Sequence, residues 1–265
     1  MRQGDHLVDQ WAALGTLITL QHNAPNRAAL FEQARRLVAQ LDSLLSRFQP
    51  ASDVTRLNQA GGGAVQVSPV TDTVLQAAWQ AHQLTGGAFN AGPLIKQPGF
   101  GRWRLAQGGQ LDLGGIAKGY VADQLRDLAV KCGARSVLVS IGSSSVSVSG
   151  DRPKSGPWRL GLGQPGAGRH LAFGVVLLQN GALSTSGNDE RPGHIAAAQA
   201  EQVTVLAPDG MTAEVWSTAL MVLGPAGLTE YWTPQANWQA LLVSTQTVIT
   251  TPGFPWQAGC GSLAD

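Results

Sequence analysis

A lysine set between glycines is the first group in this 265-residue chain that could do chemistry. Lys118 stands in "LDLGGIAKGYVADQL" (111–125), where a strand-like start turns into a helical pattern. Glycines let a ligand approach the backbone, and free N–H groups in the first turn of a helix attract anions. A lysine adds a point charge suited to phosphate. The stretch predicts either an anion site or a glycine-rich turn with an exposed lysine.

A carboxylate and a hydroxyl form the second group. Glu214 and Thr218 lie four residues apart in "TAEVWSTAL", so a helix places both on one face. Their oxygens are hard ligands of the kind that Mg²⁺ takes together with water and substrate phosphate. The same spacing also describes a solvent-facing pair on an amphipathic helix.

Two further segments carry polar or planar groups. "ALSTSGNDERPGHI" (182–195) offers a polar cradle for a phosphate or ribose, or an ordinary turn, followed by His194 as a general base or a surface residue. In "TGGAFNAG" (85–92), Phe89 lies among small residues and either borders a planar ligand or belongs to the core behind a helix cap.

Helical patterns dominate the first half of the chain. An apolar stripe from Leu30 to Phe48 predicts a helix that starts at Asn26 and stops before Gln49-Pro50. After a loop, Ser68 as N-cap and Pro69 start a second helix that ends at Gly86-Gly87. Residues 88–110 are predicted to be irregular. Further helices are predicted at 115–132, closed by Gly133, at 211–224, closed by Gly224, and, shorter, at 227–232.

Strand patterns cluster in the second half, after an early strand at 14–22 and a short one in 61–68. The later strands are predicted within 136–142, 145–150, 158–164, 173–184, 202–206, 239–245 and 247–254. Early helices followed by strands, without regular βαβ alternation, predict an α+β fold with an antiparallel sheet and flanking helices. We expect a single large domain over residues 1–265, or two closely joined subdomains.

Composition excludes several classes of function. Lys+Arg 18 against Asp+Glu 17 gives a net charge of +1, which provides no footprint for nucleic acid. No apolar run approaches the roughly 18 residues of a membrane span.

Asp5 and Asp9 interrupt a secretory signal, so the chain as written is expected in the cytoplasm, or in the periplasm if it is a processed form. Cys132 and Cys260 match no metal or redox spacing; we expect ordinary thiols, with a disulfide left open.

The order of the motifs is more specific than any one of them. "LGT", "LLSRFQPASDVTRLNQAG", "TGGAFN", "LDLGGIAKGY", "ALSTSG", "GHI" and "TAEVWSTALMVLG" follow one another over residues 14–225. In this order they resemble the ApbE family of FAD:protein FMN transferases. The resemblance implies Mg²⁺-dependent cleavage of the FAD pyrophosphate, transfer of FMN to a Thr or Ser of an acceptor protein, and release of AMP.

The resemblance also assigns residues. It implies that Mg²⁺ is held by the Ala117 carbonyl, Glu214 and Thr218, and that His194 deprotonates the acceptor hydroxyl with Lys118 as the second catalytic group. The FAD site that it implies consists of Gly15, Thr16, Asn58, Ala88, Phe89, Asn90, Asp112, Gly114, Gly115, Ile116, Lys118, Ser184, Thr185 and Ser186.

The sequence departs from the family pattern at two single residues, one turn and one longer segment. Glu214 and Asn90 each replace an Asp, and Ser143–Ser145 replace a Gly-Gly-Asp/Asn turn. The family's "H-I-x-D-P-x-T-G" becomes "GHIAAAQAEQ" (193–202) after His194. Three functions therefore remain open at this point: an active flavin transferase, a non-catalytic FAD-binding carrier, and an FAD pyrophosphate hydrolase.

Overall fold

The computed structural model describes residues 6–152, 154–163, 171–187, 198–244 and 247–262, with backbone alone at 171–172 and 259–262. Five helices lie in these ranges: α1 (Arg27–Leu45), α2 (Asp53–Gln59), α3 (Pro69–Leu84), α4 (Ala117–Lys131) and α5 (Gly210–Tyr231). The strands described are β1 (Leu7–Ala13), β2 (Thr16–His22), β3 (Val65–Gln66), β4 (Leu94–Lys96), β5 (Arg102–Leu105), β6 (Val137–Ile141), β7 (Ser145–Ser149), β8 (Trp158–Gly163), β9 (Leu171–Leu178), β10 (Gly181–Gly187), β11 (Gln202–Ala207), β12 (Gln239–Ser244), β13 (Thr247–Thr250) and β14 (Trp256–Ser262).

An eight-stranded antiparallel sheet in the order β1-β2-β6-β7-β10-β11-β12-β13 is the centre of the fold. Its inward side chains Val139 and Val205 pack against α1, α4 and α5. On the opposite face, Leu138 and Leu206 pack against the three-stranded sheet β14-β9-β8. Both faces are covered, so every side chain of β11 is buried. The α+β architecture with an antiparallel sheet is as predicted.

Local signals fix the helix ends largely as expected. Asn26 caps α1, and the hydroxyl of Ser68 accepts a hydrogen bond from Thr71 N at 3.2 Å at the start of α3. Gly133 follows α4 with φ 89°, a left-handed conformation that glycine adopts without strain. Gly224, at φ 62° and ψ −157°, is not helical, so α5 consists of two helices joined at a kink, as the two predicted segments require.

Several predicted boundaries were wrong. The first strand starts at Thr16, because Leu14 and Gly15 form a turn with φ 54° and 68°, and β1 precedes it unpredicted. The predicted loop before Ser68 contains α2, and the supposedly irregular 88–110 contains β4 and β5. Strand β14 was also missed. Phe48 does not belong to the core stripe of α1, because the helix ends at Leu45 and the Phe48 side chain is 81% exposed.

Cys132 is a free thiol. Within the residues described, no helix has the length and apolar character needed to cross a bilayer.

Candidate active site

The site is built where the first turns of α4 and α5 touch. A Cβ added to Gly119 would lie 2.2 Å from the carbonyl oxygen of Gly210, so the two backbones are in direct contact. The amide of Gly210 also donates a hydrogen bond of 2.7 Å to Asp123 Oδ2 on α4. The contact brings Lys118 of α4 and Glu214 of α5 together. The N-terminal ends of two helices therefore meet at one place, with α5 already capped by the side chain of Asp209.

Glu214 is buried, with 3% of its surface exposed. Its Oε1 accepts a hydrogen bond from Ser145 Oγ and lies 3.9 Å from Lys118 Nζ. Its Oε2 is buried and has no hydrogen-bond partner among the described residues. Burial raises the pKa of Glu214, while Lys118, the Ser145 hydroxyl and the Gly119 amide act in the opposite direction.

A buried carboxylate oxygen without a partner is costly, because it has lost its water and gained nothing in return. A divalent cation is a partner that would remove this cost, and carboxylate oxygens suit Mg²⁺. Glu214 Oε2 thus fits a metal ligand. Among the described residues no group of three or more His, Cys, Asp or Glu side chains forms a metal cluster. A cation here would have to rely on one carboxylate together with hydroxyl, carbonyl, phosphate or water oxygens.

Lys118 lies at the solvent-exposed edge of the Glu214 site. Its Nζ donates a 2.7 Å hydrogen bond to Ser144 Oγ, and 35% of its side chain remains exposed. The residue before Ala117, Ile116, stands at the N-cap of α4 and provides no side-chain cap. The start of this helix therefore presents Lys118 to an anionic ligand, while the Ala117 amide is already bonded to Leu113 O at 2.8 Å and the Gly119 amide faces Glu214.

Hydroxyl groups on β10 connect the sheet to α5. Ser184 Oγ and Ser186 Oγ lie 3.1 Å and 2.9 Å from Ser217 Oγ, and Ser217 in turn donates to the Glu214 carbonyl at 3.1 Å. Thr185 Oγ1 points to the other side of the strand, 2.9 Å from Thr204 Oγ1. Two of the three predicted hydroxyls therefore reach the helix that bears Glu214.

Thr218 faces the glycine turn that precedes α4. A Cβ added to Gly115 would lie 3.6 Å from Thr218 Oγ1 and 3.4 Å from Phe89 Cε2. Phe89 is itself buried, with 2% exposed, and Ala88 packs partly against the same core cluster. Of the two readings of Phe89, the structure gives a core residue whose ring edge borders the turn. Gly115, Ala117 and Thr218 lie on the elements that adjoin Glu214.

The stretch before this turn is held by side chains from α2 and from the turn that follows α1. Asn58 makes two hydrogen bonds to the backbone of Leu111, at 2.7 Å and 3.1 Å. Asp112 Oδ1 accepts from Gly114 N at 2.8 Å, and its Oδ2 lies 3.1 Å from Arg47 Nη1. The amide group of Asn58 is thus committed to the backbone, whereas Asp112 is half exposed.

A cavity of about 370 Å³ adjoins this stretch. Sequence reasoning missed most of its lining, although Asn58 was predicted. The signal for Phe48 was present but was assigned to the helix core. The lining residues are Arg47, Phe48, Thr55, Asn58, Gln59 and Gln110.

The remaining predicted residues lie elsewhere or outside the description. Thr16 borders the β6–β7 turn, since a Cβ on Gly142 would lie 3.0 Å from its Oγ1. Asn90 is exposed and accepts a 2.9 Å hydrogen bond from Gly92 N, and the Ile116 side chain is fully buried. His194 lies outside the described residues.

Fold and site together define an α+β protein in which a lysine, a buried carboxylate and several hydroxyls meet beside the N-termini of two helices. A model of the ApbE family matches residues 14–107 and 96–242, and the chain belongs to this family.

Similar proteins extend this result. A FAD:protein FMN transferase of Klebsiella pneumoniae is 27% identical over 247 residues, covering 74% of this chain and 76% of the relative. A second transferase of that organism is 29% identical, covering 83% of this chain and 68% of the relative. The crystal structure of the ApbE protein from Thermotoga maritima superimposes with a TM-score of 0.85 at 22% identity, covering 94% and 98% of the two chains.

Proposed function

We propose that this protein is an Mg²⁺-dependent FAD:protein FMN transferase that moves FMN from FAD to a Thr or Ser hydroxyl of an acceptor protein and releases AMP. The names of the related transferases support the reaction class. The observation that carries the proposal is Glu214, a buried carboxylate with one bare oxygen, next to Lys118 and a row of hydroxyls.

The reaction exchanges the phosphoanhydride bond of FAD for a phosphoester bond to the acceptor. The acceptor oxygen forms a bond to the phosphorus of the FMN half, the bond from that phosphorus to the bridging oxygen breaks, and AMP leaves with that oxygen. The proton of the acceptor hydroxyl goes to a base, for which His194 stays the predicted residue. Such transfers depend mainly on positioning and on charge neutralisation.

The cation would be held by three oxygen atoms: Glu214 Oε2, Thr218 Oγ1 and the carbonyl oxygen of Ala117. When bound, Mg²⁺ supplies positive charge to the pyrophosphate oxygens. Lys118 offers a second positive charge that Ser144 orients and that 35% exposure of the side chain leaves accessible to a phosphate. Ser186, which is partly exposed, offers a hydroxyl fixed to α5 through Ser217, and the buried Ser184 supports Ser217 from the same strand. The dinucleotide would be held at its charged centre.

The flavin or adenine ring needs an apolar surface near this centre. The cavity beside residues 111–114 offers one in the exposed ring of Phe48, with Arg47 Cζ 4.8 Å from the ring centroid. Arg47 also pairs with Asp112, so the cavity and the glycine turn share a wall. This arrangement favours a dinucleotide lying across the two.

The test is transfer itself. The protein is incubated with FAD, Mg²⁺ and an acceptor that carries a Ser/Thr flavinylation site, and the acceptor is examined for flavin fluorescence after denaturing electrophoresis. We expect a fluorescent band that disappears with chelator, with His194→Ala and with Glu214→Gln. Glu230→Gln, an exposed carboxylate of the same helix α5, serves as the matched control and should label normally.

Two other results would replace the proposal. FAD binding with neither AMP release nor labelling would identify a flavin carrier, in accord with the altered sequence after His194. Release of AMP and FMN without labelling, in the presence of a competent acceptor, would identify a hydrolase in which water takes the place of the hydroxyl.

A further inference from the structure

Ser145 holds one of the two oxygens of Glu214. It begins β7, is 1% exposed, and its Oγ donates to Glu214 Oε1. Its backbone is fixed on both sides, because it pairs with Ile141 of β6 and with Ser184 of β10. A hydroxyl on an interior strand of the large sheet therefore anchors a carboxylate on α5.

The neighbouring hydroxyl has a different partner. Ser144 Oγ accepts from Lys118 Nζ at 2.7 Å, and Ser144 O accepts from Thr185 N at 2.8 Å, which ties the turn to β10. Lys118 Nζ remains 3.9 Å from Glu214 Oε1, beyond hydrogen-bond distance. The two serine hydroxyls lie 3.5 Å apart, so Lys118, Ser144, Ser145 and Glu214 form one chain of polar contacts beside the longer Lys118–Glu214 ion pair.

The consequence concerns the free oxygen. A glutamate side chain has several rotatable bonds, and fixing it costs conformational entropy that a specific contact must offset. With Oε1 bonded to Ser145, Oε2 is left buried and without a hydrogen-bond partner among the described residues. Ser145 therefore controls which oxygen is available.

We propose that Ser145 is a positioning residue that commits Glu214 Oε1 to the protein and so reserves Oε2 for a divalent cation. This inference rests on the metal-dependent function proposed above. The inference implies that the length of the Glu214 side chain and the Ser145 hydroxyl are matched to each other. A change in either one alone should move Glu214 Oε2.

Binding of Mg²⁺ tests the inference without reference to turnover. Mg²⁺ is titrated calorimetrically into the wild type, into Ser145→Ala and into Ser145→Thr, each saturated with FAD and without acceptor. We expect Ser145→Ala to weaken Mg²⁺ binding about tenfold, the size of effect that loss of one hydrogen bond to a charged group produces. Ser145→Thr keeps the hydroxyl and should retain most of the affinity.

Ser147→Ala is the matched control. Ser147 lies two residues along the same strand, is fully buried, and its hydroxyl donates to Asp123 Oδ1 at 2.7 Å and not to Glu214. Its loss should lower the stability of the fold as Ser145→Ala does, while Mg²⁺ affinity stays within about twofold. A similar loss of Mg²⁺ affinity in both alanine variants would assign the effect to general loosening and overturn the inference.

A length swap provides a second measurement if Ser145→Ala folds poorly. Glu214→Asp withdraws the carboxylate by about 1.5 Å, one carbon–carbon bond, and should lose both Ser145 and the cation. Glu214→Asp combined with Ser145→Asn restores reach and nearly conserves volume, so Mg²⁺ affinity should recover in part. No recovery in a double variant that folds as well as Glu214→Asp would contradict the pairing.

The outcomes distinguish a failure of the proposed metal-dependent function from a failure of the role assigned to Ser145. If the wild type binds no Mg²⁺ with FAD present, both the metal in the proposed function and this inference fail. If the wild type binds Mg²⁺ and Glu214→Gln loses it, yet Ser145→Ala binds as the wild type does, only the role of Ser145 is refuted and the transferase proposal stands.

Discussion

Gly119 and Gly210 occupy the point at which helices α4 and α5 touch, and neither has room for a side chain. A Cβ on Gly119 would lie 2.2 Å from Gly210 O, and one on Gly210 would lie 2.5 Å from Gly119 O. Both obstacles are backbone atoms, which no rotamer change can move. The glycine after Lys118 therefore serves helix packing, and through packing it brings Lys118 to Glu214.

Replacing Gly119 by alanine should be strongly destabilising. The added methyl group forces the two helices apart, and we expect a loss of about 3 kcal/mol in the free energy of unfolding. Urea denaturation measures this loss. Gly163→Ala, where the added atom meets nothing within 4 Å, is the control and should change stability by less than about 0.5 kcal/mol. Equal effects at the two positions would refute the packing argument.

Phe48→Ala should separate binding from stability. The ring is 81% exposed, so its loss should leave the free energy of unfolding within about 0.5 kcal/mol of the wild type. If the cavity that it lines receives a ring of FAD, affinity should fall about five- to tenfold, the size of a stacking contact. Titration of FAD followed by flavin fluorescence measures this change.

The control for this prediction is Phe100→Ala. Phe100 is also largely exposed, at 69%, but it does not line the cavity. Its removal should leave FAD affinity unchanged. A loss of affinity in the Phe100 variant, or none in the Phe48 variant, would place the aromatic ring of the ligand elsewhere.

Asp123→Asn tests the anchor below the site. Asp123 accepts hydrogen bonds from Ser147 Oγ, Gly210 N and Arg126 Nη1, at 2.7, 2.7 and 2.9 Å. An asparagine replaces one acceptor oxygen by a donor and leaves a buried donor without a partner, at a cost of about 2–4 kcal/mol. Asp127→Asn, in which a half-exposed pair with Arg126 is lost, should cost less than about 0.5 kcal/mol in the same denaturation experiment.

His6 should make stability depend on pH. Its Nε2 lies 3.0 Å from Ser136 Oγ, and partial burial, followed by the charges of Arg152 and His22, lowers the pKa of His6 below 6.5. A lowered pKa means that the fold favours the neutral imidazole. The stabilisation is therefore complete above the pKa of the unfolded chain and is lost as pH falls through the lowered value.

The comparison that isolates this effect is the wild type against His6→Gln, unfolded with urea at pH 8 and at pH 5.5. We expect the advantage of the wild type to shrink at the lower pH. Other titrating groups cancel, because both proteins contain them. An advantage that is constant, or that grows as pH falls, would show that His6 titrates normally or in the opposite direction.

The sequence predicted those parts of the fold in which a local signal agrees with the tertiary environment. The Asn26 and Ser68 caps begin helices, Gly133 follows the end of α4, and Gly224 interrupts α5, each through a preference local to the chain. Strand β1 was not predicted because its one buried residue is Asp9, which breaks the expected apolar alternation. That aspartate is satisfied by His22 and Arg27, at 3.0 Å and 2.8 Å, partners that the strand itself does not reveal.

The sequence predicted the types of residue that the site contains, but it did not predict which residues contact one another. The four-residue spacing placed Glu214 and Thr218 on one helix face. The burial of Glu214 and its bond to Ser145 depend on how β7 and α5 meet, 69 residues apart in sequence. Helix α2 and strands β4 and β5 are too short for periodicity to distinguish them from loops.

Strand β10 pairs with β11 from Ala182 to Gly187, and its first part, Gly181 to Ser184, pairs with β7 as well. Its amide protons should accordingly exchange with solvent only on the time scale of global unfolding. The doubly paired segment that bears Ser184 is then as long-lived as the folded protein. A nucleotide could therefore bind and dissociate many times without local unfolding of this segment.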